Sequence, residues 1–83
     1  MFDTIRRVSI HTDLSGRLVA TVIGTTALGD EMTAEYRTSP RLEGLWEWDD
    51  NRKDWRQILG TCQYYARDAA QMRRKIRRML APA

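Results

Sequence analysis

Apolar and polar residues alternate along the first half of the chain and recur every three or four positions in the second. In Arg7-Val8-Ser9-Ile10-His11, Val8 and Ile10 share one face, the pattern of a half-buried strand. Asp13-Leu14-Ser15-Gly16 then supplies a turn former and a glycine that tolerates positive φ, so a short hairpin is predicted, with a second strand from Arg17 to about Thr25. Within it, Leu18-Val19-Ala20-Thr21-Val22-Ile23 is apolar on both faces and rich in β-branched residues, which predicts a central strand at least partly covered on each side. Leu28-Gly29-Asp30 breaks the run. In Glu31–Arg37, Met32, Ala34 and Tyr36 fall on one face and Thr33, Glu35 and Arg37 on the other, the cleanest strand pattern in the sequence. Ser39-Pro40 ends it, and Leu45-Trp46-Glu47-Trp48 adds a short fourth strand with both tryptophans on one side.

The rest reads as one helix. Asn51 follows Asp49 and Asp50 as a natural N-cap, and Asp54 sits where its charge meets the helix dipole favourably. Apolar or small residues recur at Trp55, Ile58, Cys62, Tyr65, Ala69, Met72, Ile76 and Met79, and Pro82 marks the end. The predicted fold is therefore α+β: a three- to four-stranded antiparallel meander followed by one long C-terminal helix. It forms a single domain over residues 1–83, with the sheet in 1–50 and an amphipathic basic helix in 51–80. At about 1.5 Å per residue a helix from Arg52 to Leu80 would be about 43 Å long, whereas a seven-residue strand spans only about 23 Å. Its second half is expected to project or to be covered by a partner.

Charge changes this picture more than composition does. Residues 1–51 carry five basic and nine acidic side chains, and residues 52–83 carry nine basic and two acidic, so a net charge of +3 conceals halves of −4 and +7. Separation of this kind builds a dipolar surface that selects partners. Arg56, Gln63, Arg67, Gln71, Arg74 and Arg78 fall on one flank of the predicted helix, and Arg73, Lys75 and Arg77 crowd its last turns. A row of guanidinium forks suits an acidic protein surface or a nucleic-acid backbone, while a solvated flank balancing the acidic half is the plainer reading. Tyr64, nearly opposite the apolar seam, is a further candidate contact. Cys62, Ala66, Ala69, Met72 and Ile76 form a seam of small and apolar residues that would admit a second copy of the chain; burial within the same chain is the alternative.

Candidate chemistry is sparse. Ser9, His11 and Asp13 alternate along one strand, but neighbours on an exposed strand offer neither the geometry nor the oxyanion site a serine nucleophile needs. Glu47, Asp49, Asp50 and Asp54 lack calcium-loop spacing and are assigned to helix capping. No phosphate-cradling glycine loop and no zinc-ligand spacing occur, so neither cofactor nor metal is predicted. Trp46 and Trp48 could stack on unpaired bases or anchor an interface, but in so small a domain they are expected to fill the core. The single cysteine points to a reducing, cytoplasmic setting; the charged N-terminus argues against a secretion signal, and no apolar run approaches the length of a membrane span. The expectation is a non-enzymatic binding protein (inhibitor, adaptor or assembly factor), with a nucleic-acid-binding regulator as the alternative.

Overall fold

A computed structural model describes residues 2–38, 44–60 and 66–80. The alternating segments form strands β1 (Thr4–Thr12), β2 (Leu18–Thr25) and β3 (Glu31–Arg37), followed by β4 (Leu45–Asp49), β5 (Asp54–Leu59) and a single helix, α1 (Ala69–Leu80). The sheet is an antiparallel meander of five strands in sequential order. It has one strand more than predicted, because Asp54–Leu59 is extended and not helical.

The first two hairpins share one connection. The Gly16 N–H donates to the Asp13 carbonyl (3.0 Å) and the Gly29 N–H to the Thr26 carbonyl (2.9 Å). Both glycines have strongly positive φ, +84° and +87°, which an L side chain rarely adopts. In the first turn the Asp13 carboxylate does additional work: Oδ1 accepts the N–H groups of Ser15 and Arg17, each at 2.9 Å, and Oδ2 accepts Arg17 Nε at 3.1 Å.

The predicted helix over 51–80 gives way to two elements for local reasons. Asp49 Oδ1 accepts the N–H groups of Asn51 and Arg52, so the acidic cluster closes a turn instead of capping a helix. Lys53 then takes a positive φ of 55°, incompatible with helix. The chain reverses, and Trp55 pairs with Trp48 across β4 and β5. Gly60 follows the strand; inside a helix it would have cost about 1 kcal/mol relative to alanine. The helix begins at its own signal, Asp68-Ala69-Ala70-Gln71. Asp68 Oδ1 accepts the Gln71 N–H (2.9 Å), and Gln71 Oε1 reaches back to accept the Arg67 N–H, a reciprocal cap of two otherwise unpaired donors.

Register assigns the two faces of the sheet. Val8, Ala20, Val22, Ala34 and Tyr36 fall on one face through the pairs Val8↔Val22, Val22↔Ala34 and Ala20↔Tyr36. On this face α1 lies against β1 and β2, and Met72 and Ile76 are fully buried together with Ala66, Leu45 and Val22. Burying one such side chain stabilises by about 1.5–3 kcal/mol, so this contact is what holds a short helix in place. Arg73 adds a polar fastening, its Nε donating to the Val8 carbonyl on β1 (3.2 Å). Toward the far edge, Glu47 of β4 accepts the buried Tyr36 hydroxyl and pairs with Arg56 of β5 at 3.1 Å. Burial first, then this carboxylate, keeps the phenol protonated well above its usual range.

Two outcomes test this scaffold. A Cβ on Gly24 would lie 2.0 Å from the Thr4 carbonyl oxygen and 2.8 Å from Phe2 Cδ1, beside the bulge between Ile5 and Arg7. Gly24→Ala is therefore expected to cost at least about 1–3 kcal/mol in urea denaturation; an unchanged midpoint would contradict the packing at β1. The Asp13 pKa is lowered from 3.8 to about 2, chiefly by the Arg17 N–H. Its folded-state pKa is depressed, so its stabilisation is complete above pH 3.8 and is lost as pH falls toward about 2. Asp13→Asn should flatten that part of the acid-denaturation curve.

Candidate functional site

Arginines stand on the outer surface of α1 because Met72 and Ile76 claim the inner one. Arg74, Arg77 and Arg78 are exposed, with Arg73 and Arg67 on their flanks. Ion pairs among the described residues join Arg6 to Glu31, Arg17 to Asp13, Lys53 to Asp50 and Arg56 to Glu47. None of them uses Arg67, Arg74, Arg77 or Arg78. Arg77 and Arg78 lie in the last turn, where the helix dipole favours cations, so this end tolerates a charge density that would be costly elsewhere.

The predicted contact row does not survive as one stripe. Arg74 and Arg78 sit one turn apart on α1, and Arg67 lies just before it. Arg56 belongs to β5 and is paired with Glu47, and Gln71 is occupied by the helix cap. Gln63 and Tyr64 lie outside the described residues, as does Cys62 of the proposed self-association seam. The rest of that seam is corrected: Ala66, Met72 and Ile76 are fully buried in the chain's own core and Ala69 is half-buried. A second copy could reach them only by displacing α1 from the sheet.

A different surface emerges on the opposite face, against which no described helix or strand packs. Trp46 and Trp48, expected in the core, and Trp55, expected on the apolar seam of the helix, all lie here and are half-buried. Trp48 and Trp55 meet edge to face, ring centroids 5.4 Å apart at 71°. The Arg37 guanidinium sits 4.4 Å from the Trp55 centroid. Burial first, and then the neighbouring Arg17 charge, press the Arg37 pKa below its usual value. One row crosses the whole sheet here, with His11, Val19, Arg37, Trp46 and Gln57 side by side on successive strands. The signal for this face was present in the sequence: once Asp49–Asp54 is read as a turn, Trp46, Trp48 and Trp55 share a side.

Between β3 and β4 the ladder opens. Only Tyr36↔Glu47 and Arg37↔Trp46 are in register, and below them lies a cleft of about 430 Å³ lined by Met32, Thr33, Ala34, Glu35, Glu47, Trp48 and Asp50. Arg56 and Lys53 already neutralise Glu47 and Asp50. Of the Ser9, His11 and Asp13 row, Asp13 directs its carboxylate into the turn with Ser15 and Arg17, leaving it unavailable to orient His11. Of the acids assigned to helix capping, Asp49 closes the β4–β5 turn, Glu47 and Asp50 pair with cations, and Asp54 accepts the Trp55 N–H at 2.8 Å. Among the described residues no three of His, Cys, Asp or Glu gather as metal ligands, and no helix is long and apolar enough to cross a membrane. Comparison with protein families, curated protein sequences and solved structures returns no match to this chain.

Proposed function

We propose that the protein acts without catalysis, by seating the outer face of α1 on an acidic macromolecular surface. The observation that carries this reading is that Arg74, Arg77 and Arg78 are exposed, and unpaired among the described residues, on a helix anchored from beneath by Met72 and Ile76. Anchoring matters because a guanidinium row on a fixed helix presents its forks in one arrangement, so little further order is lost when carboxylates arrive. An inhibitor, adaptor or assembly factor would work by such occupation. The same charges could instead meet phosphates, a second reading favoured by five cations and no acid between Arg73 and Arg78.

Reversing Arg67, Arg74 and Arg78 to Glu is expected to lower partner capture at least about tenfold, a loss of about 1.4 kcal/mol, while the circular dichroism spectrum is retained. Unchanged capture would overturn the assignment. A gel shift with single- and double-stranded DNA and RNA, run beside a pull-down from extract, separates the two readings. A shift abolished by the same reversal identifies phosphate as the target.

A further inference from the structure

We propose that the helix-free face of the sheet is a second binding site, for single-stranded nucleic acid, in which Trp46, Trp48 and Trp55 stack on unpaired bases and Arg17 and Arg37 hold the adjoining phosphates. It uses none of the α1 arginines and lies on the opposite side of the sheet, so it stands apart from the reading above.

The uncovered face of an antiparallel sheet is ordinarily polar. Here it carries every tryptophan of the chain, on the two neighbouring strands β4 and β5, each partly open to solvent. Packing against α1 does not account for them, because α1 lies on the other side. Trp48 and Trp55 brace each other at 71°, which fixes the rings and leaves little side-chain freedom to lose when a ligand stacks.

Charge selects the class of ligand. Arg37 lies over the Trp55 ring, and its charge feels the Arg17 guanidinium on one side and the Asp13 and Asp54 carboxylates on the other. Arg17 is directed by its Nε, which meets Asp13 Oδ2 at 3.1 Å and Ser15 Oγ at 2.8 Å. Asp13 engages the Nε of Arg17, so an arriving phosphate would take charge-assisted hydrogen bonds from the terminal N–H groups of Arg17 and from Arg37, in competition with the Asp13 and Asp54 carboxylates. The register that sets Arg37 beside Trp46 places a cation and a ring on adjacent strands, about 4.8 Å apart, with Gln57 next in the row for hydrogen bonds to a base edge. Flat rings with the Arg37 guanidinium among them match a ligand that alternates flat bases with phosphates. In a duplex the base faces are covered by stacking, so the unpaired strand is the form that fits. Glu35 occupies the next row, past Thr21, and confines the anion end to the Arg17–Arg37 side.

Because Trp46, Trp48 and Trp55 are the only tryptophans and all lie on this face, intrinsic tryptophan fluorescence reports on it alone. The full chain is titrated with a thymidine oligonucleotide, its duplex with an adenosine strand, and polyglutamate. Saturable quenching by the single strand is expected, with affinity at least about tenfold above that for the duplex or for polyglutamate. Arg37→Gln should weaken it roughly tenfold, and Trp48→Leu by a similar factor or more, as loss of one base-stacking contact would. Reversal of Arg67, Arg74 and Arg78 should leave the quenching amplitude at saturation unchanged. Absent quenching, equal quenching by the duplex or polyglutamate, or an Arg37→Gln titration identical to wild type would each overturn the proposal. Those results leave the α1 reading standing, since partner capture is measured separately. If Trp48→Leu does not fold, the half-exposed Arg37→Gln variant still decides.

Discussion

The architecture depends on one contact, that of Met72 and Ile76 with the β1–β2 part of the sheet. A helix of twelve residues is marginal in water by itself, and its persistence here rests on burying those two side chains beside Val8, Ala20 and Val22. That contact turns the same helix's arginines outward. It also exhausts the helical cover available among the described residues, because α1 reaches only one face of a sheet five strands wide. The recognition surface proposed on α1 and the aromatic face behind it are thus two consequences of one arrangement: the helix of the described residues covers the sheet from one side.

Electrostatics follows the same division. The acids that gave the first half its negative balance are mostly engaged locally. Asp13 and Asp49 fasten turns through backbone N–H groups, Glu47 ties Tyr36 and Arg56 together, and Asp50 meets Lys53. Neutralisation of the helix cations by acids of the same chain was the plainer alternative, and the ion pairs of the described residues do not reach Arg74, Arg77 or Arg78. Among the described residues Arg74, Arg77 and Arg78 stand outside these ion pairs, which is the condition that the proposed recognition through α1 requires.

Much of the sheet was legible in the sequence, and the reasons are local. Glu31–Arg37 alternates without interruption and forms a strand over those same residues, and both early turns carry glycine at the position that needs positive φ. The region after Trp48 was not legible because its cues are degenerate. Asp49-Asp50-Asn51 can cap a helix or close an Asx turn, and Trp55 and Ile58 fit a helical spacing as well as a strand with a bulge. The choice was made by a distant partner, the Trp48 ring that meets Trp55, and no local period encodes it. Asp68 and Gln71 were a readable helix start, hidden by a periodicity that ran smoothly through them. Of the contact residues named from sequence, Arg67, Arg74 and Arg78 fall on or beside the exposed face of α1. The placement of the tryptophans depended on which face the helix would cover, a tertiary fact.

One-sided cover is most directly tested by nuclear Overhauser contacts in the isotopically labelled chain. The account predicts contacts from the Met72 and Ile76 methyl groups to Val8 and Val22, and between the indoles of Trp48 and Trp55, with none linking those methyl groups to any indole. Contacts from Met72 or Ile76 to the tryptophan rings, or helical sequential contacts through Asp54–Leu59, would contradict it.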